Sequence, residues 1–401
     1  MTKEKQSFFK FWLSELKPKG KIITPFNIIS AVIIITGIIL LIDRFINGIG
    51  AVSNVSQESP WGLWKGFNVV TGVAFAGGAY VTTFIVYILN VKRFKPLVRI
   101  TVLNGFLAYT FYAIALILDL GKPWNIINPI IGNDFGASSV LFLVAWHFLL
   151  YVVAQLIEFS PAVAEWVGAK RAHKVLTGMT IGAVIFGITL SILHQSGLGA
   201  LFLMASEKIH PLWYNEFIPI LFLVSSVFAG MAMIIFEGMI SEKVFRGKQT
   251  EEHFRKRNRI IFSLAKICTG AMFAYFFLQA IVFIHGQHWG LLGTGYGLWY
   301  LLELIGFVLA PMFLFIYSYK KESVKMVKTA AILTIIGIIL NRMNVSVIAY
   351  DWQAAVPYIP SWKEVVVTFA VIFSQILIFR WVIRRMPVIS DSPLWAKLSK
   401  H

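Results

Sequence analysis

The amino-acid sequence predicts an all-α integral membrane protein that crosses the bilayer about ten times. The first observation is composition: the 401 residues are 58% hydrophobic and 14% charged, with a mean hydropathy of +0.74. Soluble domains are about 45–50% apolar and about 25% charged. The second observation is that the apolar residues form blocks of about 20, the length that spans a hydrocarbon core of about 30 Å. No polar stretch between these blocks is long enough to be a soluble domain.

Ten apolar segments follow one another along the chain, and each predicts one transmembrane helix. They cover residues 25–46, 62–90, 98–119, 138–159, 175–194, 217–240, 262–284, 297–319, 326–344 and 363–383. We therefore expect a transmembrane domain over residues 23–388. Residues 1–22 carry aromatic residues among lysines, which is typical of a helix lying in the membrane interface, and residues 389–401 form a short tail.

Basic residues are concentrated on one side of the predicted membrane. Of the 36 Lys and Arg residues, 30 lie at the termini, in every second loop or, for Lys266, just inside a span. The other six are Arg44, Lys65, Lys122, Lys208, Arg342 and Lys363. By the positive-inside rule, both termini are cytoplasmic (N-in, C-in), including residues 1–22 and 389–401. The net charge of +17 is then a topology signal, so we expect no nucleic-acid partner.

Cysteine and histidine usage limits the redox cofactors that the chain can hold. Cys268 is the single cysteine, so it forms neither a disulfide within the chain nor a Cys-ligated cluster. A membrane b-type haem needs two histidines from facing helices at matched depth. Only His147 lies well inside a predicted span, and His194 lies about 10 Å shallower by the helical rise per residue. We therefore expect no haem, iron–sulfur cluster or other metal in this chain.

Ionisable residues at membrane depth are candidate functional residues, because an unpaired charge is unfavourable there. His147 lies about 13 Å from the outer end of the fourth segment. It is either a hydrogen-bonded core histidine or a group that exchanges protons with a bound molecule. Asp119 closes the third segment and is either paired with Lys122 or a buried carboxylate lining a site. His194 ends the fifth segment, where the following glycines would let the chain turn.

Further ionisable residues lie near the inner and outer ends of later segments. Glu158 and Glu237 lie towards the cytoplasmic side and are candidates for a proton path. Glu237 has the same predicted depth as Lys266, which also predicts a structural salt bridge. Glu303 and Arg342 lie in the outer halves of the eighth and ninth segments. Arg342 is a candidate for binding acidic side chains, a carbonyl group or a partner protein.

The outer connections are longer than the inner ones, nearly charge-balanced, and rich in Trp, Gly and Pro. They include QESPWGLWKG, DLGKPWNIINPIIGNDFG, HQSGLGALFLMASEKIHPLWYNE and AYDWQAAVPYIPSW. Some of their tryptophans are expected in the aromatic belt at the membrane interface. Because loops of this composition are stable only when packed, we also expect a folded cap on the outer face.

Several of these motifs resemble the NrfD/HybB-like family, and the resemblance covers about residues 25–388. The motifs are WGLW at 61–64, DLGKPW at 119–124, EFSP at 158–161, HQSGLG at 194–199, HPLWY at 210–214 and PSW at 360–362. The resemblance, strongest to the HybB type, implies a haem-free membrane anchor subunit of a respiratory redox complex in a bacterial or archaeal cytoplasmic membrane. Such a subunit exchanges electrons between menaquinone or ubiquinone in the membrane and a periplasmic ferredoxin-like iron–sulfur subunit. That partner is joined to a catalytic oxidoreductase such as a nickel–iron hydrogenase.

The resemblance also implies a quinone-binding four-helix bundle over residues 62–195, with a second bundle over 217–344. The candidate quinone-binding residues in it are Trp64, Asn68, His147 and His194. His147 and Asp119 are the candidate catalytic residues: His147 would donate to a quinone carbonyl and pass on a proton, and Asp119 would hold or recharge the imidazole.

Two further expectations concern the surroundings of this bundle. The candidate partner-facing residues on the outer side are Trp61, Lys122, Trp124 and Arg342. The alternative function is an ion- or proton-translocating transporter module without a quinone site. Its support is the pair of inner-half acids, Glu158 and Glu237, which could form a half-channel from the cytoplasm.

Overall fold

Long helices make up the protein. The computed structural model describes residues 13–131, 138–245 and 251–388. Within these ranges ten helices are long and apolar enough to cross a membrane, and the single extended pairing is an isolated bridge between Ile209 and Tyr350. The predicted all-α, ten-span fold is therefore confirmed. The helices are α1 Pro25–Asn47, α2 Trp64–Ile88, α3 Lys95–Asp119, α4 Val140–Val167, α5 Lys170–Leu203, α6 Ile218–Phe245, α7 Glu251–Gly286, α8 Gly295–Lys320, α9 Val324–Ile348 and α10 Trp362–Ile383.

The terminal segments predicted from the sequence lie largely outside the described residues. Of residues 1–22, the structure describes a helical stretch at 13–16 and the approach to α1. The tail over residues 389–401 lies outside the described part of the chain.

Helix starts follow capping chemistry. Thr24 accepts a hydrogen bond from the Asn27 backbone N–H, and Pro25 occupies the first position of α1. At α10, Ser361 and Glu364 form a capping box, each side chain accepting from the other's backbone N–H. These contacts satisfy N–H groups that the helices themselves leave free.

Helices α2, α8 and α9 contain π-helical turns, in which the backbone holds one extra residue per turn. The turns are Trp64–Thr71, Phe84–Ile88, Leu302–Leu309 and Asn344–Ile348. Such turns are rare and are often found at functional sites. Three of them carry polar residues with buried side chains, namely Asn68, Glu303 and Asn344.

The helices pack as two four-helix bundles with an additional pair. In the first bundle, α2 contacts α3 and α5, and α4 contacts α3 and α5. In the second, α6 contacts α7 and α9, and α8 contacts the same two helices. Helices α1 and α10 pair with each other and lie against α2 and α3. The two bundles meet mainly where α6 contacts α2 and α5.

The crossing of α2 and α6 depends on small residues. A Cβ atom added at Gly77 would lie 2.5 Å from the Ser226 carbonyl oxygen, and one at Gly230 would lie 2.6 Å from backbone atoms of Gly77 and Gly78. Small residues let helix backbones approach closely inside a membrane, where packing rather than the hydrophobic effect drives association. This contact sets the distance between the two bundles.

Helix α5 is longer than predicted, which changes the position of the HQSGLG motif. The expectation that the chain turns after His194 is wrong, because the helix continues to Leu203. The glycines serve close packing instead. A Cβ at Gly197 would lie 2.8 Å from the Val144 side chain on α4, and one at Gly199 would lie 2.7 Å from the Pro219 backbone on α6.

The outer connections pack against one another as a cap. The His210 backbone N–H donates to the Ala349 carbonyl at 2.8 Å, and Asp351 N–H donates to the Lys208 carbonyl at 2.6 Å. The His210 ring stacks on Tyr296 with centroids 4.7 Å apart, and Trp352 meets it edge-on at the same distance. Burial lowers the pKa of His210 below its usual value near 6.5, with a smaller contribution from His288. The predicted cap is present in these connections.

Candidate functional site

His194 lies inside the first bundle among aromatic rings. Its side chain is 1% exposed, and its Nδ1 atom lies 3.2 Å from the Val144 carbonyl oxygen on α4. The rings of Tyr109 and Phe148 lie 5.5 and 5.4 Å from the imidazole, centroid to centroid. Because a carbonyl oxygen can only accept, Nδ1 carries the proton, and Nε2 of the neutral ring is an acceptor. That Nε2 atom has no hydrogen-bond partner among the described residues.

His147 lies on α4 at nearly the same depth as His194. The His194 ring contacts Val144, which precedes His147 by three residues or about 4.5 Å along the helix. The expected depth difference of about 10 Å is therefore wrong, because α5 extends beyond its predicted end. The His194 side chain is enclosed, whereas the His147 side chain is half-buried.

The first bundle holds several buried polar atoms that lack a partner among the described residues. Each such atom is unfavourable by about 1–3 kcal/mol unless something binds it. A group of them in one bundle therefore marks a place that a polar ligand or water would stabilise. These atoms include Asn68 Oδ1, His147 Nδ1, Gln155 Oε1 and His194 Nε2.

Polar side chains continue inwards from the histidines along one face of α4. His147, Tyr151, Gln155 and Glu158 follow one another at helical spacings of three or four residues, over about 16 Å. Gln155 donates to the Tyr151 hydroxyl at 3.1 Å, and the Tyr151 ring packs edge-on against Tyr109 at 4.7 Å. Glu158 Oε1 is buried and has no hydrogen-bond partner among the described residues. This line joins the histidines to the predicted cytoplasmic half of the bundle.

Glu237 also lies near the inner end, but its partner differs from the predicted one. Asn104 on α3 donates to Glu237 Oε1 at 2.6 Å. The Lys266 ammonium lies 3.9 Å above the Tyr319 ring. The predicted salt bridge between Glu237 and Lys266, both of which the structure describes, is therefore wrong. Glu237 instead joins α6 to α3 across the boundary of the two bundles.

Asp119 is buried but belongs to a different cluster from the histidines. Its Oδ2 atom lies 2.8 Å from the Lys65 ammonium, so the predicted pairing with Lys122 is wrong. Arg44 donates to the carbonyl oxygens of Leu118 and Leu120 on either side. The Asp119–Lys65 pair thus joins α3 to α2, and Arg44 joins α3 to α1. It makes no hydrogen bond to His147, so it does not hold or recharge that imidazole in this structure.

Trp64 does not line the first bundle. Its side chain is 1% exposed and packs with Leu40, Val52 and Val367, between α1 and α10. Its indole N–H donates to the Glu364 carbonyl oxygen at 2.9 Å. The predicted contact of Trp64 with a quinone in the bundle is therefore not supported. Its packing instead connects α2 to the pair formed by α1 and α10.

The second bundle contains a buried polar network that the sequence did not reveal as one unit. Glu303 on α8 accepts hydrogen bonds from Trp213 at 2.8 Å, Asn341 at 2.7 Å and Asn344. Arg342 donates to Asn341 Oδ1 at 2.7 Å, so one amide joins the carboxylate and the guanidinium. The run Asn341-Arg342-x-Asn344 in an otherwise apolar segment was the available signal.

Arg342 is enclosed by the second bundle. It is 1% exposed, donates to Ser225 at 2.7 Å and to the Phe222 carbonyl at 3.2 Å, and lies 3.6 Å above the Phe222 ring. The prediction that Arg342 faces a partner protein is therefore wrong. Its charge is balanced inside the protein through Asn341 and Glu303.

The other predicted partner-facing residues lie at the outer surface. Trp124 is 71% exposed, and Lys122 is also exposed. Trp61 is only partly exposed and stacks on Phe202 with centroids 4.5 Å apart. Trp124 and Lys122 are thus free to contact another protein, whereas Trp61 mainly packs within the chain.

Comparison with known proteins places these features in a family. The family described as "Polysulphide reductase, NrfD" matches residues 51–351. A protein of Nitratidesulfovibrio vulgaris is 38% identical over 374 residues, covering 93% of this chain and 96% of the relative.

Two more distant relatives carry functional names. The "Probable Ni/Fe-hydrogenase 2 b-type cytochrome subunit" of Escherichia coli is 26% identical, covering 92% of this chain and 94% of the relative. The "Menaquinone reductase, integral membrane subunit" of Nitratidesulfovibrio vulgaris is 25% identical, covering 85% and 86%. Since the family match extends over most of the chain and includes both bundles, this multi-pass membrane protein belongs to the NrfD family.

Proposed function

We propose that this protein is the haem-free membrane subunit of a respiratory complex and that it exchanges electrons with the quinone pool at the outer end of the first bundle. The observation that carries the proposal is the pair of histidines, His194 and His147. Each has a buried ring nitrogen without a hydrogen-bond partner among the described residues, and the two lie within one helical turn of each other in depth. A quinone ring is apolar and carries two carbonyl oxygens, so it matches aromatic walls with a few hydrogen-bonding groups. The relative named as the integral membrane subunit of a menaquinone reductase supports the same ligand class.

His194 is the group best placed to exchange a proton with the ring. Its Nδ1–H is held by the Val144 carbonyl, so neutral Nε2 accepts a proton from a quinol hydroxyl. In the opposite direction, the protonated ring donates to a quinone carbonyl. His147, half-buried and beside it, supplies the second hydrogen-bonding group and lies nearer to the lipid, from which a quinone enters. Quinone reduction takes two electrons and two protons, and these histidines handle the protons.

A proton path along α4 accompanies the electron transfer in this proposal. Tyr151, Gln155 and Glu158 continue the polar line from His147 towards the cytoplasmic end, and Glu237 lies at the inner end of α6. Hydroxyl, amide and carboxyl groups at such spacings pass protons with the help of intervening water. Protons drawn from the cytoplasm and electrons from the outer side would make quinone reduction contribute to the membrane potential.

The electron partner is proposed to dock on the outer face, as a periplasmic iron–sulfur subunit attached to a catalytic oxidoreductase such as a nickel–iron hydrogenase. The distribution of Lys and Arg supports an N-in, C-in orientation in a bacterial or archaeal inner membrane. Exposed Trp124 and Lys122 supply a contact surface on that face. Reporter fusions in the loops at 241–261 and 120–137 should place the first in the cytoplasm and the second outside. The opposite placement of either loop would contradict this orientation.

The absence of haem is part of the proposal, although one relative carries the name of a b-type cytochrome. The rings of Tyr109 and Phe148 pack against the His194 imidazole, with centroids 5.5 and 5.4 Å away. We expect the isolated subunit to show no Soret band. A stoichiometric, reducible b-type spectrum would refute this part of the proposal, with His147 and His194 as the suspected ligands.

The test compares two electron routes in the purified complex. His194→Gln and His147→Gln should each lower quinone-linked turnover by about 10²–10⁴-fold, the usual effect of a lost proton-transfer group. Reduction of a soluble artificial acceptor by the partner should remain unchanged. Ser196→Ala is a matched control, because the Ser196 hydroxyl bonds only the Ile192 carbonyl of its own helix. Near-normal quinone turnover in both histidine variants would refute the site.

The transporter alternative predicts a different result in the same preparation. A module without a quinone site would move protons across vesicles independently of quinone, and its transport would depend on Glu158 and Glu237. Quinone-independent proton movement, together with unchanged quinone turnover in the histidine variants, would favour that alternative.

A further inference from the structure

A cavity outside the first bundle lies at the outer end of α6, α7 and α8. It has a volume of about 180 Å³ and is lined by residues of the connection before α6, the end of α7 and the start of α8. Apolar walls come from Leu212, Phe217 and Phe283, and polar groups come from His285, His288 and Tyr300. Neither the histidine pair nor the α4 polar line contributes to it. The cavity is therefore separate from the proposed site in the first bundle.

Tyr300 is a polar residue that lines this cavity. The residue is 4% exposed, and its ring is fixed between Trp213, edge-on at 5.5 Å, and Phe283, stacked at 6.2 Å. Its hydroxyl makes no hydrogen bond to another described residue. The cavity thus presents a fixed donor to whatever occupies it.

The mouth of the cavity lies where the protein meets lipid. Helix α7 ends at Gly286, and the neighbouring side chains of Phe217, Ile284 and Trp289 are 41%, 59% and 57% exposed. Exposed aromatic and aliphatic side chains at a helix end are typical of the membrane interface. A ligand can therefore enter sideways from the bilayer.

The charged residues that line the cavity indicate which chemical class of ligand it can bind. The lining includes one carboxylate, Glu216, and no Lys or Arg. A phospholipid phosphate would find no guanidinium or ammonium there and would face a like charge. A neutral ring with carbonyl acceptors would instead receive hydrogen bonds from Tyr300 and the imidazoles, while its flat faces contact Phe283 and Leu212. The volume suits such a headgroup, with any isoprenoid tail left in lipid.

We propose that this cavity is a second binding site for a quinone-class ring, in which Tyr300 donates to one carbonyl and His288 or His285 to the other. The choice of a quinone rather than another neutral carbonyl compound rests on the proposed function, whereas the site itself rests on the cavity and Tyr300. The site holds a quinone at the outer end of the second bundle and requires no electron transfer there.

Substitution of Gly286 is a way to displace the His288 side chain. A Cβ atom added at Gly286 would lie 2.9 Å from His288 Cδ2, so Gly286→Ala forces that imidazole to move. Tyr300→Phe removes only the hydroxyl and keeps the ring contacts with Trp213 and Phe283. The two variants thus disturb the two sides of the site without enlarging the cavity.

The experiment labels the full complex in nanodiscs with a photoreactive azido-naphthoquinone and maps the adducts by mass spectrometry. We expect adducts both near the first-bundle histidines and within residues 211–217 or 282–300. Tyr300→Phe and Gly286→Ala should weaken labelling of the second region about fivefold to tenfold and leave the first region unchanged. His147→Gln should do the reverse. Leu298→Ala, an exposed position on α8, is the control for Tyr300→Phe.

The outcomes separate this inference from the proposed function. Labelling of residues 211–217 or 282–300 that depends on Tyr300 supports the second site, even if the first bundle takes up no probe and the proposed function fails. First-bundle labelling without any adduct in those segments overturns the second site. Displacement of the probe from those segments by phosphatidylglycerol, but not by excess unlabelled 2,3-dimethyl-1,4-naphthoquinone, identifies a lipid site and also overturns it.

Discussion

The crossing of α2 and α6 predicts that one added methyl group, Gly230→Ala, separates the two bundles. The new Cβ would overlap the Gly78 backbone nitrogen and lie 2.6 Å from the Gly77 carbonyl carbon and Gly78 Cα, whereas ordinary contact begins at 3.4 Å, so α2 must move by more than about 0.8 Å. Overpacking a buried site costs about 1–3 kcal/mol. Because the obstacle is backbone rather than a side chain that can rotate, we expect the upper end, about 3 kcal/mol.

Gly238→Ala is the matched control for this prediction. Gly238 lies on the same helix, two turns further on, and a Cβ there meets no atom within 4 Å. Thermal unfolding in one detergent, followed by tryptophan fluorescence, should show a midpoint at least about 5 °C lower for Gly230→Ala, at about 2–4 °C per kcal/mol. Gly238→Ala should unfold at or slightly above the wild-type temperature, since alanine favours a helix. Equal midpoints for the two variants would refute the reasoning that the bundles are held by glycine contact.

Three further predictions concern other parts of the molecule. Glu364→Gln should lower the free energy of unfolding by about 2–3 kcal/mol in the same assay. The carboxylate accepts hydrogen bonds from Ser53, Tyr358 and two backbone N–H groups, and an amide cannot accept all four. An unchanged unfolding midpoint would contradict this prediction. The cap should lose stability as pH falls below about 6.5, because the pKa of His210 is lowered in the folded protein and the neutral ring is the stable form. The stabilisation by neutral His210 should be fully present above that pH. His210→Gln should make the stability of the cap less dependent on pH, as measured by hydrogen exchange between pH 7.5 and 5.5. A pH dependence equal to that of the wild type would contradict the role of His210. Glu158→Gln should reduce proton uptake from the vesicle interior during quinone turnover by about tenfold or more. Glu207→Gln in the outer cap is the control and should leave proton uptake unchanged. Normal proton uptake by Glu158→Gln would contradict a proton path along α4.

Helix number and membrane placement could be predicted because they depend on local composition. Blocks of about 20 apolar residues require helices, since a backbone in lipid must satisfy its own hydrogen bonds. The motifs in the outer connections were likewise enough to identify the family, and the family match over residues 51–351 confirmed it. The cap in the outer connections followed from their Trp and Pro content in the same way.

The partners of individual charged residues could not be predicted, because each depends on which helix lies opposite. Asp119 pairs with Lys65 across two helices rather than with Lys122 nearby in sequence, and Arg342 turns inward to Asn341 and Glu303. The depth of His194 was misjudged because glycines that could end a helix also allow close packing, and the sequence does not distinguish the two uses.

By itself the sequence determined the ten spans, the class of the protein and the set of residues with chemistry at membrane depth. The tertiary structure alone decided which of them act together. It placed His194 against Val144, within one helical turn of His147, separated both histidines from Asp119 and Trp64, and connected Glu303 to Arg342 through Asn341. The physical reason is that hydrophobicity is a property of each segment, whereas a hydrogen bond or an ion pair depends on how neighbouring helices are rotated and how closely they approach.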